Sequence, residues 1–235
     1  MPRKCYLTTM WRDFINLYFP HYCLTCQESL VKGETLVCTN CLYELPQATH
    51  HQEPDNIVTQ RLAGRLPVRH AMALYKFRKS GKVQHLLHHL KYQHKPLLGI
   101  VLGRRYGILL KESHLCMTFD LVVPVPLHSS KLRKRGYNQS DFFAKGIAEV
   151  LNIPWSKQYL KRTKNAVTQT RKSKLGRLES VDNAFCVTDM QALHNQHILL
   201  VDDIITTGAT LEACGLVLLA AGIKELSVAT IAVAE

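Results

Sequence analysis

The chain has 235 residues, 46% of them apolar and 20% charged. At about 150 residues per domain this length suits one large domain, or a domain with a small module, and such a composition excludes a disordered tail protein. No apolar run approaches the roughly 18 residues that a spanning helix needs, so an integral helical membrane protein is excluded as well.

Thirty basic and 18 acidic side chains give a net charge of +12, and they are unevenly spread. Residues 1–60 carry 4 basic and 6 acidic side chains, residues 61–180 carry 25 and 5, and residues 181–235 carry 1 and 7. A surplus of twenty positive charges over half a chain favours a polyanionic ligand: a nucleic acid, a nucleotide or a pyrophosphate-bearing metabolite.

The N-terminal residues include Arg12, Asp13 and Asn16. They offer no clean apolar stretch and no small-residue cleavage site, so no signal peptide is expected and the protein is expected to be cytoplasmic. Trp11, Phe14, Ile15, Tyr18 and Phe19 recur at helical spacing and form one apolar face. Pro20 stops that helix.

Four of the eight cysteines then have a rhythm: Cys23-x2-Cys26, eleven residues, Cys38-x2-Cys41. Each knuckle presents two thiolates, and two knuckles close a tetrahedral four-sulfur site suited to structural Zn2+, with no open position for chemistry. Gly33, between Leu30-Val31 and Leu36-Val37, marks a small hairpin between the knuckles, as in a zinc ribbon or treble clef. His21, His50 and His51 flank the module as competing ligands, but four thiolates suffice. Cys5, Cys116, Cys186 and Cys214 are isolated and read as small hydrophobes.

Residues 46–60 are polar, with Pro46 and Pro54, and read as a linker. The N-terminal module is therefore drawn at 1–60 and the main domain at 61–235. Ala71–Phe77 reads as a strand broken by Ser80-Gly81. Residues 83–92 and 97–110 have helical periodicity; His85, His88, His89 and His94 lie on a solvated or partner-facing part of it. Asp120–Val125 is a buried β-branched strand. Asn138 or Ser140 caps a helix running to about Leu151. Residues 161–183 are rich in charge and read as a long mobile loop. His197–Val201, Gly208–Ala221 and Leu226–Ala234 read as strand, helix and strand. This alternation predicts a parallel α/β sheet.

The most informative stretch is Ile198-Leu199-Leu200-Val201-Asp202-Asp203-Ile204-Ile205-Thr206-Thr207-Gly208-Ala209-Thr210. An apolar strand delivers two acids at its carboxyl end, where ligands of open α/β sheets bind. A hydroxyl-rich turn then opens a helix whose N-terminus carries about half a positive charge. Thr206, Thr207, Gly208, Ala209 and Thr210 thus form a cradle for a phosphate monoester. Like charges repel, so Asp202 and Asp203 suit a ribose diol, or Mg2+ held through that diol or water. Two consecutive acids at a buried strand end are costly unless something meets them.

This stretch resembles the phosphoribosyl-pyrophosphate (PRPP) motif of type I phosphoribosyltransferases. A second block, Val122-Val123-Pro124-Val125-Pro126-Leu127 followed by Arg133 and Arg135-Gly136-Tyr137-Asn138-Gln139, narrows the resemblance to the ComF/GntX family, competence-associated proteins related to those enzymes. An X-Pro bond tolerates a cis peptide at modest cost. A cis kink at Pro124 or Pro126 would turn amides toward a pyrophosphate, with Lys131, Arg133 and Arg135 as counter-charge. The resemblance extends to Phe19-Pro20 ahead of the four-cysteine finger, to Leu90-Lys91-Tyr92, and to Arg162, Gln169, Arg177 and Ala184-Phe185 in the charged loop. The loop departs from the family at Lys172, where an apolar residue is usual, and at Ser180, where Asn is usual.

The resemblance implies a type I phosphoribosyltransferase-like parallel sheet with helices on both faces, preceded by a small zinc-ribbon module. It also implies a role in DNA uptake during natural transformation. Three mechanisms fit. In the first, the protein transfers a phosphoribosyl group from PRPP with Mg2+, through an oxocarbenium-like state stabilised by preorganised charge, to an acceptor that no motif identifies. In the second, the pocket is a sensor or relic, and the basic half binds single-stranded DNA and other DNA-uptake proteins, with Tyr75, Phe77, Tyr92 and Tyr137 as stacking platforms. In the third, the protein is a protein–protein adaptor working through the zinc module.

Overall fold

The computed structural model describes residues 21–115, 117–163 and 184–235. The expected helix at Trp11–Phe19, Cys5, Cys116, and Gln169, Lys172, Arg177 and Ser180 of the charged loop lie outside them. By internal contacts the chain divides into a small unit ending at Leu45 and a larger one, Pro46–Glu235.

In the small unit, Cys23 N–H bonds to the Glu28 carbonyl and Leu24 N–H to that of Leu36. Gln27 and Leu36 adopt positive φ, and Gly33 turns at φ 97°, a conformation that glycine adopts without a Cβ penalty. Glu34 closes the turn by accepting from the N–H groups of Val31 at 3.0 Å and Thr39 at 2.7 Å. Helix α1, Thr39–Glu44, starts at Cys38.

The large unit is built on a parallel sheet. In chain order it contains α2 (Ile57–Leu62), β1 (Ala71–Phe77), α3 (Lys82–Tyr92), α4 (Pro96–Lys111), β2 (Leu121–Pro124), α5 (Ser129–Arg135) and α6 (Gln139–Leu151). There follow β3 (Leu160–Arg162), β4 (Phe185–Val187), α7 (Met190–Leu193), β5 (His197–Ile205), α8 (Ala209–Ala220) and β6 (Glu225–Ala234). The sheet order is β1-β6-β5-β2, with every pairing parallel. β3 and β4 form a separate antiparallel pair, so the charged loop begins with a strand at its first two residues.

Strands covered on both faces read as near-continuous apolar runs, and Ile198–Val201 and Leu226–Val233 do so. On one face Ala73, Val123, Leu200 and Val228 pack with Leu62 of α2, Leu66 just after it, and Leu211 and Leu218 of α8. The other face carries α6, which packs on β2 and β5 and also against α4. Gly99, Gly103 and Gly107 make that helix pair possible: a Cβ at Gly103 would lie 2.4 Å from the Phe143 carbonyl oxygen and 2.9 Å from Gly146 Cα.

Residues 46–60 are no linker. Ala48 N–H bonds to the Leu74 carbonyl at 2.8 Å. Asn56 caps α2 by accepting from Val58 and Thr59 N–H, and its amide donates to the Ala71 carbonyl at 2.9 Å. Their polarity is spent on capping and on strand carbonyls, which composition cannot distinguish from solvation. Tyr75 is fully buried in β1, so it is not a stacking platform. Asn138 stands at the N-cap of α6, but its side-chain amide donates to the Val125 carbonyl at 3.0 Å and to Asp141 at 2.7 Å instead of capping. No cis peptide bond occurs among the described residues, which removes the expected cis kink at Pro124 and Pro126. Among the described residues no helix is long and apolar enough to cross a membrane.

Candidate functional site

β2 and β5 pair through Pro124 and Val201, and Val125 N–H extends the ladder to the Val201 carbonyl at 2.9 Å. The carboxyl ends of the two strands therefore lie side by side. There β5 delivers Asp202 and Asp203, both partly buried.

Consecutive strand residues point to opposite faces, and the two acids have different partners. Ser140 Oγ, in the first turn of α6, donates to Asp202 Oδ1 at 3.0 Å, and the Asp203 N–H donates to the same oxygen at 2.8 Å. Burial, and then the neighbouring Asp203 charge, push the Asp202 pKa up to about 7; these two hydrogen bonds and Lys91 oppose the shift. Asp203 Oδ2 receives Lys91 Nζ from α3 at 2.8 Å.

The strand continues through Ile205 into Thr206–Thr210. Gly208 takes φ 82° as N-cap of α8, a left-handed conformation that costs glycine little. A Cβ there would meet Leu62 Cδ2 at 2.9 Å, a flexible side-chain end that can shift, so the positive φ is the stronger reason for glycine. The turn and the first residues of α8 surround a hollow of about 40 Å³ lined by Asp202 and Ile204–Leu211. Thr206, Thr207, Ala209 and Thr210 are exposed. The first N–H groups of a helix have no intrahelical partner, so the hollow suits an anion of phosphate size.

The second block lies beside β2. Pro124 is buried, while Lys131 and Arg133 are exposed on α5. Arg135 is partly engaged: it donates to Gln139 Oε1 at 2.9 Å, and its guanidinium lies 5.2 Å from the Tyr92 ring centroid. Arg162 is exposed on β3, 5.1 Å from the Phe185 ring centroid. Arg177 lies outside the described residues. A groove of about 960 Å³ opens between α5, α6 and β3; Tyr137, Phe142 and Trp155 line it, together with Lys145, Lys157 and Arg162.

Sequence reasoning missed Ser140 and Lys91 as partners of the two acids. Lys91 lay in the Leu90-Lys91-Tyr92 block and Ser140 was read only as a helix cap; only the tertiary fold brings them to β5. It also missed Arg61 of α2 and Arg65 just after it, which approach the turn from behind.

In the small unit, the sulfur atoms of Cys23, Cys26, Cys38 and Cys41 all lie within 4.8 Å of one another. Tetrahedral zinc with Zn–S of about 2.3 Å sets neighbouring sulfurs about 3.8 Å apart, and Cys26 Sγ and Cys38 Sγ are 3.7 Å apart. Burial raises the Cys23 pKa, but the N–H groups of Cys26, Cys38 and Thr25 outweigh it and bring the thiol down to about 6. These donors suit a thiolate at Cys23, whereas burial and the neighbouring sulfurs push the Cys41 thiol up; by its sulfur spacing the cluster is compatible with structural zinc. No histidine joins it among the described residues.

Comparison with known proteins agrees with this architecture. The phosphoribosyl transferase domain family matches residues 140–234, from the Asp202 partner Ser140 to the end of β6. The sheet and the turn after β5 thus define a type I phosphoribosyltransferase fold. Competence protein F of Haemophilus influenzae is 29% identical over 198 residues, covering 81% of this chain and 76% of that protein. DNA utilization protein YhgH of Escherichia coli K12 is 30% identical over 148 residues, covering 61% of this chain and 63% of that protein. Competence protein ComFC of Bacillus subtilis is 36% identical over 104 residues, covering 43% and 39%. These relatives support a place in the ComF family, and the chain spans somewhat less than two thirds of the length of YhgH.

Proposed function

We propose that the protein binds PRPP and acts in DNA uptake, handling incoming single-stranded DNA in the cytoplasm. The observation that carries this reading is the hollow at Thr206–Thr210 beside Asp202 and Asp203, at the carboxyl edge of a phosphoribosyltransferase sheet. Thr206, Thr207, Gly208, Ala209 and Thr210 hold the 5-phosphate. Asp202 and Asp203 face the ribose diol, and they would hold Mg2+ directly, through the diol or through water. Mg2+ supplies charge neutralisation to the pyrophosphate. Pro124, Lys131, Arg133, Arg135, Arg162 and Arg177 form the pyrophosphate side. Zn2+ on Cys23, Cys26, Cys38 and Cys41 is structural.

The relatives named for competence and DNA utilization support the DNA context. The groove beside α5 and α6 supports a single-stranded ligand, because aromatic faces next to cations stack bases and hold backbone phosphates without reading sequence. Oligonucleotide affinity is expected to fall linearly with the logarithm of salt concentration, with a slope that shrinks as Lys145 and Lys157 are neutralised. Salt-independent or absent binding contradicts the DNA half of the proposal.

A second reading, phosphoribosyl transfer to an acceptor, is favoured by one observation: the hydrogen-bonded, partly buried Asp202 beside the hollow forms a prearranged site. Bond breaking at the anomeric carbon would release pyrophosphate, so a pyrophosphate assay across nucleobases and nucleotides tests it. No release with any acceptor, from a protein that binds PRPP, leaves a sensing or structural pocket.

A further inference from the structure

The segment before β1 builds a bracket behind the phosphate turn. Arg61 NH1 donates to the Thr206 carbonyl at 3.0 Å and the Ile205 carbonyl at 3.3 Å, and NH2 donates to the Ala234 carbonyl at the end of β6. Arg65 NH2 donates to the Thr207 carbonyl at 2.7 Å and to the Arg61 carbonyl, while NH1 pairs with Glu212 at 2.9 Å. Leu62, between the two arginines, lies against Gly208. Asn56 ties this helix to β1 through the Ala71 carbonyl.

The peptide unit is planar and trans, so its C=O and N–H point in opposite directions. Holding the carbonyls of Ile205, Thr206 and Thr207 on the arginine side aims the N–H groups of Thr206, Thr207 and Gly208 the other way, toward the hollow. Hydrogen bonds from a cationic donor are roughly twice as strong as neutral ones, so the three peptide planes are fixed before any ligand arrives. Glu212 lies in the first turn of α8, where an unpaired carboxylate would repel an anion in the hollow. Arg65 neutralises it.

We infer that Arg61 and Arg65 are positioning residues for the phosphate site: they orient its amides from behind, and Arg65 cancels the Glu212 charge beside it. This rests on reading Thr206–Thr210 as a phosphate cradle. Neither arginine touches the ligand. Both lie outside the segment that matches the phosphoribosyl transferase domain family.

The test is calorimetry of the full chain with Mg2+–PRPP and, separately, with ribose 5-phosphate, alongside thermal melts. Arg65→Met is expected to weaken both ligands by roughly tenfold to a hundredfold, and by similar factors, because they share the 5-phosphate. Glu212→Gln alone should bind at least as tightly as wild type. Adding Glu212→Gln to Arg65→Met should recover several-fold of the loss, which a merely structural role of Arg65 does not predict. Arg65→Lys, with one ammonium in place of a fork, should fall between. Arg61→Met should weaken both ligands without rescue by Glu212→Gln. Wild-type binding with unchanged affinity in the arginine variants, or no recovery in the Arg65→Met/Glu212→Gln protein, overturns the inference while leaving the cradle standing. A wild-type protein that binds neither ligand overturns the cradle and this inference together. Should Arg65→Met fail to fold, Arg65→Lys decides the matter: affinity for both ligands equal to wild type contradicts the inference.

Discussion

Lys91 at the end of α3 reaches across to β5 and places its ammonium 2.8 Å from the Asp203 carboxylate, with both side chains largely shielded from solvent. One acid of the pair is therefore already neutralised by a residue 112 positions away, while its neighbour Asp202 is held by Ser140. Removing one partner of a shielded ion pair leaves a charge poorly solvated. Lys91→Met is expected to destabilise the fold by about 2 kcal/mol, between the values for exposed and fully buried pairs. Lys91→Met/Asp203→Asn should recover most of that loss. Urea denaturation of the four proteins measures the coupling, and additive effects would show that the two side chains do not interact.

The raised pKa of Asp202 fixes a sign. The folded protein holds this proton up to about pH 7, whereas the unfolded chain releases it near pH 4. Between those values the folded state binds more protons, so this residue lowers stability as pH rises through the window, and its penalty is constant above it. Asn can still accept from Ser140 and from the residue 203 N–H. Asp202→Asn is therefore expected to melt higher than wild type at pH 8 and to lose that advantage by pH 4. An advantage that grows on acidification contradicts the assignment.

The glycines of α4 predict a packing effect. A Cβ at Gly103 meets backbone of α6 on three sides at 2.4–3.0 Å, and backbone cannot step aside as a flexible side chain can. Gly103→Ala is expected to cost about 2 kcal/mol or more. Lys145→Ala, on the same helix pair but facing the groove, should cost little. Equal midpoints for Gly103→Ala and wild type in urea would contradict the close crossing of α4 and α6.

The four-thiolate cluster predicts one zinc per chain. Metal analysis of the purified protein should give a ratio near one. Cys26→Ser or Cys41→Ser should lower it and make the small unit sensitive to proteolysis, because metal binding and folding of such modules are coupled. Zinc-free wild-type protein with an intact, protease-resistant small unit contradicts the assignment.

Much of this architecture was legible from residue order. β5 and its turn stood out because an apolar run ended in two acids, and Gly208 because a hydroxyl-rich turn needed one residue without a Cβ. The cysteine knuckles announced themselves by spacing. Residues acting across the sheet were not legible. Lys91, Ser140, Arg61 and Arg65 meet β5 and its turn only after the strands assemble, and no local spacing encodes that meeting. Residues 46–60 looked like a linker because a polar side chain that caps a helix has the same letter as one that faces water. Tyr75 looked like a stacking platform because nearby lysines and arginines suggested exposure, while β1 is covered on both sides. Gly99-x3-Gly103-x3-Gly107 was present in the sequence as a signal for close helix packing and went unread.

The most direct measurement is a crystal structure of the protein soaked with PRPP and Mg2+. The account predicts the 5-phosphate in the hollow of Thr206–Thr210, bonded to the amides of Thr207 and Gly208, with the ribose hydroxyls beside Asp202 and Asp203. A phosphate seated elsewhere, with that hollow holding only solvent at saturating ligand, contradicts it.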